Sequence, residues 1–84
     1  MIKYGCGLRV ILIDSDVSST DVLSRRLRAQ GYSVEVANDA AQGATRALAS
    51  PPSAVVCNLW MPGISGVQIC RLLNSEASTM DVPV

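Results

Sequence analysis

The side chains that could do chemistry in this chain of 84 residues lie in two short polar segments. Asp14, Ser15 and Asp16 directly follow one apolar run, and Asn58 directly follows another. An ionised carboxylate can ligate a hard cation such as Mg²⁺ and can attack an electrophile as an anionic nucleophile. The amide of Asn58 is neutral, so it suits a hydrogen-bonding role better than either of these.

Strands would position both polar segments. The apolar runs Arg9–Asp14 and Ala54–Cys57 are typical of strands that are buried on both faces of a parallel sheet. The period-two alternation in Tyr32–Ala37 predicts a strand between them. A fourth strand is predicted to begin at Val82–Val84, where the sequence stops.

Helices are predicted between these strands, at Val22–Gln30, Ala40–Ala49 and Val67–Asn74. In the first helix, Leu23 and Leu27 are one turn apart and should face the sheet. In the third helix, Val67, Cys70 and Leu73 should share the inner face.

The alternation of strands and helices predicts an α/β fold with right-handed crossovers over a mainly parallel sheet. A flavodoxin-like strand order, with helices on both faces in three αβα layers, is the expected architecture. In such sheets ligands gather beyond the carboxyl ends of the strands, at the point where the strand order reverses. The segments Asp14–Asp16 and Asn58–Trp60 should therefore be neighbours in space.

Composition excludes several classes of function. The seven basic and seven acidic residues cancel, and no basic stripe is present, so neither direct nucleic-acid binding nor membrane binding is expected. The apolar runs are too short to cross a bilayer, and the first residues lack the features of a signal peptide, which predicts a cytoplasmic location. Three cysteines and no histidine indicate free thiols rather than a disulfide framework or a zinc site.

The loop after Asn58 carries a family resemblance, together with the acidic segment upstream. Asn58 is followed by Leu-Trp-Met61-Pro62 and then by Gly66, and this pattern resembles the receiver domain of bacterial two-component response regulators. Receivers end the third strand with Asp followed by x-x-Met-Pro-x-x-x-Gly. The resemblance covers residues 8–84, which correspond to the part of a receiver up to the third helix and the start of the fourth strand. We therefore expect either a longer natural protein or self-association of this fragment.

The resemblance implies a site that has lost its chemistry. In receivers a phosphohistidine donates a phosphoryl group to the third-strand aspartate, while an acidic pair, that aspartate and a backbone carbonyl hold a divalent cation. Here Asn58 takes the place of the phosphoacceptor, and Ser15 takes the second acidic position beside Asp14. No catalytic residue and no cofactor are expected, with Asp14 and Asp16 only weak candidates for magnesium. Trp60 falls where the family often places the carbonyl ligand, and its side chain is expected to pack.

The predicted function is a pseudo-receiver, without enzymatic activity, that signals through contacts with a protein partner or an output domain, or through homodimerisation. An uncharged Asn58 would relieve repulsion between carboxylates at the strand ends and would lock the domain in one conformational state, whether or not a phosphoryl group is present. Two alternatives stay open. The chain could be a working phosphoreceiver, either with the phosphoryl group on Asp14, Asp16 or Ser15 or with Asn58 an altered aspartate. It could also be a small flavodoxin-like enzyme or nucleotide-binding domain, although its first turn lacks a glycine-rich phosphate cradle.

Overall fold

The computed structural model describes residues 7–58 and 65–84, and these residues form an alternating series of strands and helices. In chain order the elements are β1 (Arg9–Ile13), α1 (Val17–Ala29), β2 (Ser33–Ala37), α2 (Ala40–Ala49), β3 (Ala54–Cys57) and α3 (Gly66–Ser75). The predicted order is confirmed. Within the described ranges, none of the helices has the length and apolar character needed to span a membrane.

The sheet has the strand order β2-β1-β3, and both pairings are parallel. In the register, Ile11 of β1 lies opposite Glu35 of β2 and Val55 of β3. The central strand β1 is almost completely buried, with 5% exposure or less from Val10 to Ile13. This strand order and the helices on both faces confirm the predicted flavodoxin-like architecture.

Alternate residues of β1 belong to two separate cores, as expected for a strand whose side chains point to opposite faces. Ile11 and Ile13 pack on the side of α2 and α3, with residues from four other elements: Ala37, Ala40, Ala47, Val55, Ile69 and Leu73. Val10 and Leu12 pack on the opposite side, where Val34 of β2 and Leu27 of α1 cover them. The sheet is therefore sandwiched between helices.

The first helix begins at Val17, so the predicted start at Val22 was wrong by five residues. Asp16 has an extended backbone, and its side chain accepts hydrogen bonds from the backbone N–H groups of Ser18 and Ser19. This is the geometry of an N-cap. The polar segment before Val22, which is rich in capping residues, thus forms the cap and the first turn of α1.

The sheet-facing side of α1 is more polar than predicted. Thr20 and Ser24 are buried, Leu27 packs against the sheet, and Leu23 is 39% exposed. The hydroxyls of Thr20 and Ser24 each donate to a carbonyl three residues earlier, at 3.0 Å, so their burial leaves no polar group unsatisfied. Leu23, which was predicted to face the sheet, lines a cavity with Leu12 and Val56 of the sheet and therefore stays partly exposed.

The inner face of α3 is formed by Gly66, Ile69 and Leu73, all of them buried. Val67 is 48% exposed, and the expectation that it faces the core was wrong. Cys70 is half-buried at the edge of this face. The four-residue spacing of Ile69 and Leu73 sets the orientation, which turns Val67 outward.

The segment after α3 approaches β3 without forming a strand. The backbone N–H of Val55 donates to the carbonyl of Pro83 at 2.8 Å, on the side of β3 away from β1. The strand predicted to begin at Val82–Val84 is thus represented by one hydrogen bond to the sheet. Thr79 is fully buried and donates to the carbonyl of Leu73 at 2.6 Å, which ties this segment to α3.

Candidate functional site

The carboxyl ends of β1 and β3 bring the two polar segments together. The side-chain amide Nδ2 of Asn58 donates to the carboxylate Oδ1 of Asp14 at 3.1 Å. The backbone N–H of Asn58 also donates to the carbonyl of Ile13 at 2.9 Å, which continues the pairing of the two strands. The predicted proximity of Asp14 and Asn58 is therefore confirmed.

Asp14 is half-buried, and its Oδ1 atom accepts a second hydrogen bond, from the backbone N–H of Asp16 at 2.9 Å. This contact closes a tight turn directly after β1, of the kind that Asp favours. It fixes the direction of the Asp14 carboxylate. The same oxygen thus accepts from the turn that follows β1 and from the residue that follows β3.

Asp16 is fully exposed and is engaged with the start of α1. Its carboxylate accepts from the backbone N–H of Ser18 at 3.0 Å, and from the hydroxyl and backbone N–H of Ser19 at 3.0 and 3.3 Å. The Ser19 hydroxyl and then the backbone N–H groups lower the pKa of Asp16 below its ordinary value. Ser15, between the two acids, is exposed. The structure thus separates the roles of the acidic residues, since Asp14 contacts Asn58 and Asp16 caps the helix.

Asn38 is a member of the site that sequence reasoning missed. It directly follows β2, and its Nδ2 donates to the backbone carbonyl of Asp14 at 2.9 Å and to the Thr20 hydroxyl at 3.3 Å. Its position immediately after a strand, at the same edge of the sheet as Asp14 and Asn58, was the available signal.

A cavity of about 320 Å³ opens beside the Asp14–Asn58 contact. Its walls come from β1, α1 and β3 and combine apolar with polar side chains: Leu12, Ile13, Asp14, Ser19, Thr20, Leu23, Val56, Cys57 and Asn58. Burial raises the pKa of the Cys57 thiol, and the charge of Asp14 and then Cys70 add to the rise. A thiol with a raised pKa stays protonated at neutral pH, which makes it a weak nucleophile.

The loop that carries the family pattern lies mostly outside the described residues, including Trp60, Met61 and Pro62. Gly66 is described, and it is the buried first residue of α3. Ser65 and Gln68 form a capping box at this helix start, in which each side chain accepts from the backbone N–H of the other residue. The Ser-x-x-Gln spacing could have revealed this cap from the sequence.

The described part of the site contains two acidic side chains, Asp14 and Asp16, and only Asp14 contacts Asn58. Within residues 7–58 and 65–84, no group of three or more His, Cys, Asp or Glu side chains is placed to hold a metal ion. Ser15 and Asn58 each lack the charge of a carboxylate, and Asn58 presents an N–H donor to Asp14 where a cation would need an oxygen ligand. These described side chains therefore offer less negative charge than Mg²⁺ prefers in its protein sites.

Comparison with known proteins identifies the family. A family profile described as the response regulator receiver domain matches residues 10–84. Among curated relatives, response regulator MprA of Mycobacterium leprae is 34% identical over 77 residues, which cover 92% of this chain and 33% of the relative. The DNA-binding dual master transcriptional regulator RpaA of Synechocystis is 32% identical over 76 residues, which cover 90% and 32%. The chain spans about a third of the length of both relatives.

A solved structure supports the same assignment of the fold. The receiver domain of the sensor histidine kinase PA1611 from Pseudomonas aeruginosa, with a magnesium ion coordinated in its active-site cleft, superposes with a TM-score of 0.86 at 22% identity. The match covers 92% of this chain and 63% of that one. The chain belongs to the family of response regulator receiver domains, the regulatory modules of two-component signalling.

Proposed function

We propose that this receiver domain signals through protein–protein contacts that do not depend on phosphorylation. The observation that carries the proposal is the Asn58–Asp14 hydrogen bond at the carboxyl ends of β3 and β1, 3.1 Å long. Asn58 is the residue that the sequence resemblance aligns with the family's phosphoacceptor, and its amide already donates to the acid that it faces.

The chemistry of an amide supports this proposal. Attack on a phosphoryl group needs an electron-rich oxygen anion, whereas the nitrogen lone pair of Asn58 is delocalised into its carbonyl. Mg²⁺ gives up its hydration water reluctantly and relies on carboxylates at sites of this type. Since Ser15 and Asn58 are both uncharged, Asp14 is left without the neighbouring charges that would attract the ion.

The comparison with PA1611 favours the same conclusion. That receiver domain holds magnesium in its cleft, so the fold itself permits a cation site. We therefore propose that this chain lacks a cation site because of its side chains at positions 15 and 58, and not because of its backbone. Restoring the two acids should restore the site.

The partner would be an output domain of the same protein, a separate protein, or a second copy of this chain in a homodimer. MprA and RpaA are both about three times as long as the segment they share with this chain, which leaves room in those proteins for other domains. RpaA is named as a DNA-binding regulator, yet this chain has no net charge and no basic stripe. We expect no direct contact with DNA from this segment, no enzymatic activity, and a cytoplasmic location.

Isothermal titration of the full-length protein with MgCl₂ and fluoroberyllate, a mimic of the phosphoryl group, tests the proposal. The unaltered protein should show no saturable heat that depends on fluoroberyllate. The double variant S15D/N58D regains both acids and should bind the pair in the manner of an ordinary receiver. Saturable binding of fluoroberyllate by the unaltered protein would show that the pocket still works and would refute the proposal.

A further inference from the structure

Asp14 connects the carboxyl ends of all three described strands. Its backbone N–H donates to the carbonyl of Ala37 in β2 at 3.1 Å, and its own carbonyl accepts from Asn38 at 2.9 Å. Its carboxylate accepts from Asn58, the residue after β3, at 3.1 Å, and from the backbone of Asp16 at 2.9 Å. The backbone N–H, the backbone carbonyl and the carboxylate Oδ1 of Asp14 thus all take part in hydrogen bonds at this edge of the sheet.

We infer that Asn38 and Asn58 form a two-sided amide clasp on Asp14, in which Asn58 supplies the link between β1 and β3 that a divalent cation supplies in other receivers. Asn38 is then a positioning residue, because it holds the backbone of Asp14 while Asn58 holds its carboxylate. The inference builds on the proposed function, since a chain with an exchangeable phosphoryl site would need these contacts to open.

Charge explains why position 58 favours an amide when no cation is present. A hydrogen bond from a neutral amide to a carboxylate is strengthened by the acceptor's charge. With an aspartate at position 58, two like charges would face each other at a distance of about 3 Å, and each would disfavour ionisation of the other. A cation normally cancels that repulsion, and at this site the Asn58 amide makes cancellation unnecessary.

Asn38 extends the clasp to the first helix. Its Nδ2 also donates to the Thr20 hydroxyl at 3.3 Å, and that hydroxyl donates to the carbonyl of Val17 in the first turn of α1. Thr20 is 4% exposed, so this contact lies at the packed boundary between the helix and the sheet. A change at Asn38 should therefore loosen both the turn at Asp14 and the start of α1.

A double-mutant cycle in the full-length protein tests the clasp. Asp14→Ala, Asn58→Ala and the double variant are compared in EDTA through the melting temperature of the receiver domain. Each single change should lower this temperature by roughly 5 °C, and the double change should cost little more than the larger single change. The matched control cycle combines Asp14→Ala with Asn74→Ala, because Asn74 is exposed on α3. In that cycle the two changes in melting temperature should add.

Magnesium provides the second arm of the test. The melting temperature of the unaltered protein should be the same in EDTA and in MgCl₂. Asn58→Asp should melt lower than the unaltered protein in EDTA and should recover when MgCl₂ is added. Asn74→Asp introduces the same charge on the exposed side of α3 and should not respond to the cation.

A third readout needs no substitution. In the unaltered protein, the side-chain amide protons of Asn38 and Asn58 should exchange with solvent more slowly than those of Asn74, as measured by NMR. Additive effects in the double-mutant cycle, a rise in the melting temperature of the unaltered protein with Mg²⁺, or equal exchange at the three asparagines would each overturn the clasp. Failure of the proposed function is a separate result, because it appears as fluoroberyllate binding by the unaltered protein.

Discussion

At the scale of single residues, the site depends on what one side chain can offer at position 58. Asparagine and aspartate have nearly the same shape, yet only aspartate brings a negative charge and a second oxygen acceptor. The contact of Asn58 with Asp14 at 3.1 Å uses the N–H donor that aspartate lacks. Under the proposed function, the side chain at position 58, together with Ser15, replaces a phosphoryl site with a fixed hydrogen bond on the same backbone.

The core of the candidate site could be predicted from the sequence, because strand ends at one edge of a parallel sheet must meet. This reasoning brought Asp14 and Asn58 together correctly. It did not find Asn38, since the direction of a side chain in a turn depends on how the neighbouring helix packs. Nor did it decide between the possible roles of Asp16, which could have pointed toward the site or toward the helix.

The helix cap formed by Asp16 gives a prediction of pH dependence. The Ser19 hydroxyl and the backbone N–H groups lower the folded-state pKa of Asp16 below its unfolded value, which is about 4. The stabilisation is therefore fully present above pH 4 and is lost as the pH falls through the folded pKa. Asp16→Ala should unfold at lower urea concentration than the unaltered protein at pH 7, and the gap should close in acid.

Urea unfolding between pH 7 and pH 2 provides the measurement. Asp81→Ala is the matched control, because Asp81 is also exposed but lies outside the helices. Its unfolding curve should stay close to that of the unaltered protein across the range. A gap between Asp16→Ala and the unaltered protein that persists at pH 2 would show that the cap acts through something other than the ionised carboxylate.

At the scale of elements, α2 was predicted with correct bounds and α1 was not, and the reason is physical. Asp39 caps α2 at one end, accepting from the backbone N–H of Gln42 at 2.8 Å, and Pro51 prevents its continuation at the other. Before α1, a run of Ser, Thr and Asp offers several residues that could each serve as a cap. The capping preferences of these residues alone do not identify Asp16 as the N-cap.

Gly43 of α2 is buried against Ile13 of the sheet, and this contact gives a prediction about stability. A Cβ atom at this position would lie 2.5 Å from Cδ1 and Cγ1 of Ile13, a core residue that is only 1% exposed. Alanine improves helix propensity by about 1 kcal/mol, whereas overpacking a core costs about 1–3 kcal/mol. Gly43→Ala should therefore lower the free energy of unfolding by about 1 kcal/mol, as measured by urea denaturation.

Thr45, exposed on the same helix, supplies the control for propensity. There Thr45→Gly should be less stable than Thr45→Ala by about 1 kcal/mol, since no close contact opposes the larger side chain. The preference between glycine and alanine should thus have opposite signs at positions 43 and 45. A stabilising Gly43→Ala would mean that Ile13 can move away at little cost.

At the scale of the whole molecule, the sequence predicted the architecture well because strongly apolar strands and capped helices alternate along the chain. Which side chains face outward was harder to predict. Leu23 and Val56 are 39% and 44% exposed although both are apolar, and both line the cavity beside the site. Periodicity assumes that apolar residues face the core, and it fails where a face of the sheet is only partly covered.

The central position of β1 predicts the pattern of local stability. This strand is paired on both sides and buried on both faces, whereas β2 and β3 each pair with β1 alone among the described strands. In native-state hydrogen exchange, amides of Leu12 and Ile13 should exchange only through global unfolding, and amides near the ends of β2 and β3 should exchange through smaller openings. Slower exchange in β3 than in β1 would contradict this picture of the fold.

The central claim is that an amide at position 58 ends phosphoryl transfer and leaves signalling to contacts. The most direct test is the intact mass of the full-length protein, unaltered and as S15D/N58D, after incubation with a small acyl phosphate and MgCl₂. We predict an unchanged mass for the unaltered protein and the gain of one phosphoryl group for the variant. A phosphoryl group gained by the unaltered protein at a comparable rate would contradict the claim.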